Sequence, residues 1–306
     1  MSTWLLDAAY LHTTALPGLS GAMVETKREL NEPVSASHRH QRLRSIARHA
    51  GGANLTTTGI KTLLSNMPQG SGATALPYPC ASIASFASGI TLWAVQQDDI
   101  LPQIAAGSVH EKMVITKGLI SLLGWQWGGV GQSVSAQARI TPLSSDGTAA
   151  YWAKTGALAA PAAPPAETDF EVTSITWKGV AIPEVTRVEA AVDAPLQLFY
   201  PVQKIYPTRL VGAPAAGLIG HRVSLQVPDA TLLRSMGENL DGPGDLIIGM
   251  TNFAQASATR GAETVSWALR ATAEIETDER GRPNSSAMVF RGIQDSAALP
   301  LIYGVT

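Results

Sequence analysis

Cysteine is almost absent from this 306-residue chain, which holds one, Cys80. A lone thiol closes no intrachain disulfide, and without partners at ligand spacing it makes no zinc site, so Cys80 reads as a small packed side chain. Charge is scarce as well, at 15% of residues against about 25% in an ordinary globular chain. With 22 Lys and Arg against 24 Asp and Glu the net charge is −2, so the basic excess of a dedicated nucleic-acid binder is missing. Apolar runs are short. The longest, Gly118–Trp125, falls far below the roughly 20 residues that a membrane-crossing helix needs. The opening Met1-Ser2-Thr3-Trp4-Leu5-Leu6-Asp7 has neither a basic segment nor an apolar one, so we expect no secretory signal and synthesis in a cytoplasm. A chain of this mass buries about three quarters of its unfolded surface. The remaining low-charge exterior implies cover by something other than water, and association between copies is the expectation.

What is present is mostly β pattern. Val265, Trp267, Leu269, Ala271, Ala273 and Ile275 alternate with polar neighbours, the period of a strand with one buried and one wet face. Turn formers at Asp278–Asn284 then lead into Ala287–Arg291, so 263–292 reads as a β-hairpin. Further strands are expected at Phe170–Trp177, Val185–Val192, Arg222–Val227, Gln132–Ile140 and Val109–Thr116, each short, alternating or β-branched. Two short packing helices are expected. One covers 58–67, with Thr58 as cap and Ile60, Leu63, Leu64 and Met67 on one face; the other covers 229–237 behind Asp229. The fold class is therefore mainly β, a sandwich or partly closed barrel with one or two short helices. The Ala/Pro-rich stretch at 157–166 should run as an extended connection, between domains or between sheets. Before it the chain carries 11 basic and 8 acidic residues, after it 11 and 16. No internal repeat is evident in the residues.

The search for chemistry finds little. His38, His40 and His49 lack the spacing and the companion ligands of a zinc site. Arg39, Arg42, Arg44 and Arg48 form a cation cluster suited to a solvated face or to an acidic partner surface; no aromatic platform interleaves them for single-stranded nucleic acid. Gly128-Gly129-Val130-Gly131 lacks the Lys-Ser/Thr of a phosphate loop. The nucleophile-elbow pattern is missing, since Gly18-Leu19-Ser20-Gly21 places its second glycine one position early. Trp125 and Trp127 lie two apart, on one side of a strand, where they pack under a neighbour or offer a stacking platform to a sugar. Glu274 and Glu276 share one strand face and stay hydrated, which gives a negative face in place of an acid–base pair. No catalytic residue, cofactor or metal is expected.

One resemblance gives these features a common reading. The segment Ser108–Ile120, followed by a strand to Ile140 and the turn Ser145-Asp146-Gly147-Thr148, resembles the middle of tail-tube proteins of long-tailed bacteriophages. Thr173–Glu189 is similar to that family's strand, Lys-Gly turn, apolar-x-x-apolar, strand segment, and residues 12–30, with Leu16-Pro17-Gly18-Leu19-Ser20-Gly21, resemble its opening strand more loosely. The resemblance implies one tube-like β domain over 1–306 in a virion tail, closing sideways into rings, usually hexameric, that stack into a DNA channel. It implies that the chain's partners are its own copies, the terminator, tape-measure and distal tail proteins, and DNA in transit. Glu274, Glu276 and Arg270 are then candidates for the channel wall. Arg39, Arg42, Arg44, Arg48, Trp125 and Trp127 are candidates for contacts between subunits. A tail hub or adaptor and a carbohydrate-binding sandwich are the competing expectations.

Overall fold

The structure, a computed structural model, describes residues 2–30, 46–69, 76–96, 110–158, 161, 169–194, 196–202, 204–211, 219–228, 240–253, 261–276, 286–295 and 299–306. The first half of the chain forms β1 (Ser2–Leu11), β2 (Thr14–Ala15), β3 (Ser20–Leu30), β4 (Ile46–Thr57), α1 (Ile60–Ser65), β5 (Cys80–Ser82), β6 (Ile90–Gln96), β7 (His110–Ile115), β8 (Gly118–Trp127), β9 (Ser135–Pro142) and β10 (Ala153–Leu158). The second forms β11 (Phe170–Trp177), β12 (Val180–Ala181), β13 (Arg187–Asp193), β14 (Gln197–Phe199), β15 (Arg209–Val211), β16 (Gly220–Val227), β17 (Gly244–Asn252), β18 (Thr264–Glu276), β19 (Ser286–Gly292) and β20 (Leu301–Val305). The protein is mainly β, with one large antiparallel sheet that does not close into a barrel. A separate ribbon of β14 and β15 lies beside it.

Alternation of side chains decides this architecture. In β13 the odd residues are exposed and Val188, Ala190 and Val192 are buried; β16 buries His221, Val223, Leu225 and Val227; β17 buries Leu246, Ile248 and Met250. Two-fold periodicity leaves each strand one apolar face, which is covered only when the sheet folds over itself. The expected strands at 109–116, 132–140, 170–177, 185–192 and 222–227 are all present within two or three residues. The 263–292 hairpin is present as β18 paired to β19.

The two halves repeat one another. The hairpin β1–β2 pairs Leu11 with Thr14 and Tyr10 with Ala15; β11–β12 pairs Trp177 with Val180 and Thr176 with Ala181. Both turns begin on a residue with positive φ, His12 at 60° and Lys178 at 49°. Beyond them the Leu16 N–H donates to the Ala9 carbonyl at 2.9 Å, as the Ile182 N–H does to that of Ile175 at 2.9 Å. Pro17 and Pro183 follow, and then a second positive φ, Gly18 at 53° and Glu184 at 58°. β1 pairs with β6 through an irregularity between Leu6 and Ala8, and β11 pairs with β17 through one between Val172 and Ser174. β6–β7 matches β17–β18, β7–β10 matches β18–β20, and β8–β9 matches the distal part of β18 with β19. β9–β4–β3 matches β19–β16–β13. The single long strand β18 thus does the work of β7 and β8 together. Residues 2–158 are a first module and residues 169–306 a second.

The modules join edge to edge. Val188, Glu189, Ala190 and Ala191 of β13 pair with Trp127, Gln126, Trp125 and Gly124 of β8. Beneath that joint the Trp125 and Trp267 rings meet edge to face at 6.0 Å, and Trp267 stacks on Tyr303 at 6.2 Å. The Val134 N–H donates to the Phe170 carbonyl at 2.6 Å, and Ser133 bonds Asp169. α1 of the first module also packs on β20 of the second. Lys61 meets Glu263 at 2.9 Å, the Tyr303 hydroxyl donates to the Met67 carbonyl at 2.6 Å, and the Gln69 side chain receives the Tyr303 N–H and donates to the Leu301 carbonyl. One hydrophobic cluster runs through both modules.

Several expectations change in detail. Thr58 does not cap α1: the helix starts at Ile60 behind Gly59 without a side-chain cap, and the Gly59 N–H donates instead to Oγ1 of the fully buried Thr57. The connection expected from residue 157 starts later, because Ala157 and Leu158 end β10; residues 159–160 and 162–168 lie outside the described residues. The helix expected at 229–237 lies outside them too. Most consequentially, a repeat that the residues conceal is present in the fold.

Gly124 sits where β8 shifts register between Leu122 and Gly124 and takes up β13; a Cβ there would collide with the Ala190 carbonyl oxygen. Gly304 on β20 has open space around the same position. Gly124→Ala should therefore lower stability by about 1–3 kcal/mol, as overpacking does, while Gly304→Ala stays within about 0.5 kcal/mol of the parent. Urea unfolding of the two variants checks this.

Candidate functional site

Alternation puts a row of polar side chains on the outer face of the second module, and the sheet order sets their neighbours. Arg222 of β16 lies opposite Arg291 of β19, and Arg291 lies opposite Thr272 of β18. Glu274 and Glu276 follow on the same face of β18 and are exposed. Arg291 reaches Glu274 at 3.3 Å and Glu276 at 3.8 Å, and Arg222 reaches Glu276 at 3.5 Å. Farther along the strand Arg270 donates to Asp295 at 2.8 and 3.0 Å and to Asp245 at 3.4 Å. At the other edge of the face Arg187 pairs with Glu189. The Arg270 guanidinium holds the Asp295 carboxyl below the usual carboxylate range, and Asp295 in turn raises Arg270.

This ladder corrects the expected negative face. Glu274 and Glu276 are not a free anionic row, because Arg291 of β19, opposite Thr272, reaches both of them and Arg222 of β16 reaches Glu276. Arg187, Arg222, Arg270 and Arg291 oppose Glu189, Asp245, Glu274, Glu276 and Asp295, so the face is nearly neutral and densely polar. Pairs this exposed contribute little to stability, because water and salt screen them. Their main effect is on what the surface attracts. Next to Arg270 the face turns apolar: Ile247 and Ile302, 43% and 56% exposed, border a shallow groove of about 510 Å³ floored by Ala268, Leu269 and Pro300.

The other expected contact residues divide. Trp125 and Trp127 are 2% and 4% exposed, so they fasten the two modules inside one chain and offer no ring face to a sugar or to a second subunit. Arg48 lies over the Tyr200 ring at 5.3 Å, within its own chain. Arg39, Arg42 and Arg44, with His38 and His40, lie outside the described residues. Residues 128–131 form the turn from β8 to β9. The Asp146-Gly147 turn is formed as expected, with Asp146 accepting the Thr148 and Ala149 N–H groups at 2.8 Å each, and those bonds hold its carboxyl below the ordinary range.

Among the described residues no group of three or more His, Cys, Asp or Glu side chains is arranged to hold a metal, and no helix is long and apolar enough to cross a membrane. The remaining titratable groups of note are buried structural ones. Cys80 is buried and burial pushes its thiol up; burial likewise raises the Tyr78 and Tyr303 hydroxyls. No protein-family model matches the chain, and no curated protein matches it.

His221, 5% exposed on β16, is held neutral by burial, its pKa lowered from 6.5 to about 4. The unfolded chain therefore binds this proton more readily than the folded one. Stability from this group is complete above about pH 6.5 and is lost as pH falls toward 4, a decline of roughly 3 kcal/mol. Chemical denaturation across pH 7 to 4 should show that decline, and His221→Gln should flatten it by about that amount.

Proposed function

We propose that the chain is a structural subunit of a bacteriophage tail tube, building stacked, hexameric rings around a channel that DNA traverses, within the virion. The observation that carries this reading is the unfinished sheet. β10 is paired only on its β7 side, and β18 beyond Ala271 is paired only on its β19 side among the described residues. Open strand edges template pairing with another chain, and a ring of subunits removes them from water. The scarcity of charge fits a surface that other copies cover.

The polar ladder suits a channel wall. Its arginines are already engaged by carboxylates, so a passing polyanion meets no free basic row to hold it, and the slight acidic excess repels it weakly. Glu274, Glu276 and Arg270 are the residues we assign to that wall. Terminator, tape-measure and distal tail proteins are the partners at the ends of such a tube. The second reading, a hub or adaptor at the end of a tube, uses the same edges in one unstacked ring. The sugar-binding alternative loses its platform with the burial of Trp125 and Trp127.

Negative-stain images of the purified protein should show tubes of uniform bore; a discrete unstacked ring favours the hub, and a chain that never associates at high concentration refutes both. In the phage, the double substitution Glu274→Lys and Glu276→Lys should leave tubes intact but slow genome exit, because it frees Arg222 and Arg291 and adds two cations. Unchanged ejection kinetics would remove these residues from the wall.

A further inference from the structure

We propose that the protein ties its two modules together covalently. An amide bond forms between the Lys61 amine of α1 and the Asn252 side chain of β17, with Glu263 as the proton carrier and no other protein taking part. Nothing in this chemistry depends on the tube reading.

Three side chains from the two modules meet around one carboxylate. Glu263, just ahead of β18, accepts from the Lys61 ammonium through Oε1 at 2.9 Å and from the Asn252 amide N–H through Oε2 at 2.9 Å. The backbone sets the second contact, because the Asn252 N–H donates to the Glu263 carbonyl at 3.0 Å where β17 and β18 are joined. Burial of Ile60, Leu63 and Leu64 anchors α1 on the core, and Lys61 reaches from it to the second module. Asn252 is fully buried, while the Lys61 and Glu263 side chains are 26% and 24% exposed. The carbonyl end of the same amide is held too, since the Asp169 N–H donates to Asn252 Oδ1 at 3.4 Å. An ion pair that served only to join two surfaces would not need a buried carboxamide on its second oxygen. Here a nucleophile, a proton carrier and an electrophile stand in sequence, with a hydrogen-bond donor on the electrophile's oxygen.

Such a set performs acyl transfer. The Lys61 proton passes along its hydrogen bond to Glu263 Oε1 and leaves a neutral amine. Rotation about the end of the flexible lysine chain carries Nζ to Asn252 Cγ, and the nitrogen lone pair forms the new C–N bond. The carbonyl π electrons move to Oδ1, where the Asp169 N–H meets the growing negative charge. Glu263 then hands its proton to Nδ2, the carbonyl re-forms, and the Cγ–Nδ2 bond breaks with its electrons on nitrogen. The carboxylate takes the remaining extra proton from the new amide nitrogen and passes it to the ammonia, which departs as ammonium. One lysine ammonium and one carboxamide thus become one secondary amide and one ammonium ion, with no oxidant, reductant or cofactor. Burial of Asn252 keeps water from competing as the nucleophile, and escape of ammonium to solvent draws the step forward. The product joins residue 61 of the first module to residue 252 of the second by a bond that denaturant leaves intact, and it closes the chain between them into a loop.

Mass spectrometry of the purified full chain, denatured before injection, tests this. The expected mass is below the sequence mass by one ammonia, and the tryptic digest should hold a branched peptide in which Lys61 is uncut and joined to the peptide carrying Asn252. Lys61→Arg keeps the ion pair and removes the nucleophile; Glu263→Gln keeps the shape and removes the proton carrier. Both should show the full sequence mass, and in denaturing gels the looped parent should run ahead of Lys61→Arg. A parent chain of full mass after prolonged incubation at neutral pH overturns the inference without recourse to any variant. A deficit of one ammonia confined to a single linear peptide marks an imide on one asparagine and overturns it as well. A link that persists in Glu263→Gln removes that residue from the chemistry.

Discussion

Between β8 and β13 the backbone hydrogen bonds from Gly124–Trp127 to Val188–Ala191 cross from one module to the other, and Trp125 carries the core across with them. Each module alone would leave a row of unpaired amides and carbonyls at this edge and an open apolar end beneath it. A buried tryptophan of this kind removes about 150–250 Å² from water, several kcal/mol at about 25 cal/mol per Å², and Trp267 and Tyr303 continue the stack from the other side. The close approach of the strands explains why position 124 is glycine. The bonds of Gln69 to β20 and the Lys61–Glu263 pair add further links between the same two modules.

From that joint the remaining features follow as consequences of repetition. A module that completes its sheet with another module is an associating unit, and fusing two of them satisfies one contact while leaving the outer ones open. The polar ladder of the second module belongs to the same logic. Residues on the wet face of adjacent antiparallel strands fall into register, so Arg222, Arg291, Glu274 and Glu276 meet as neighbours because their strands are ordered β16–β19–β18. The result is a face dense in charge yet close to neutral, which resists both sticking to a polyanion and strong repulsion of it.

Much of this was legible in the residues and some was not. Period-two alternation located the C-terminal strands and the β18–β19 hairpin because each has one apolar face, and the Asp146-Gly147 turn was visible in its chemistry. Cys80 is buried, as a lone thiol without ligand partners implies. The alternation puts both glutamates on the wet face; Arg291 lies on the hairpin partner β19, but Arg222 comes from β16, fifty-four residues from Glu276, and register between distant strands leaves no local mark. The duplication was hidden for a related reason. Leu16-Pro17-Gly18-Leu19 and Ile182-Pro183-Glu184-Val185 occupy matched positions with matched φ, yet what a β module requires there is apolar character and a left-handed residue. Identity is free to drift where shape is kept. The single strand β18 also replaces the pair β7 and β8, which destroys any constant spacing that a repeat would otherwise show.

The joint itself is the claim on which the account depends, and amide hydrogen exchange in low denaturant measures it directly. Amides of 124–127 and 188–191 should exchange only with the slowest strands of both modules, in one cooperative opening that scales with global stability. Early exchange at the joint, with the two modules then opening in separate steps, would contradict it.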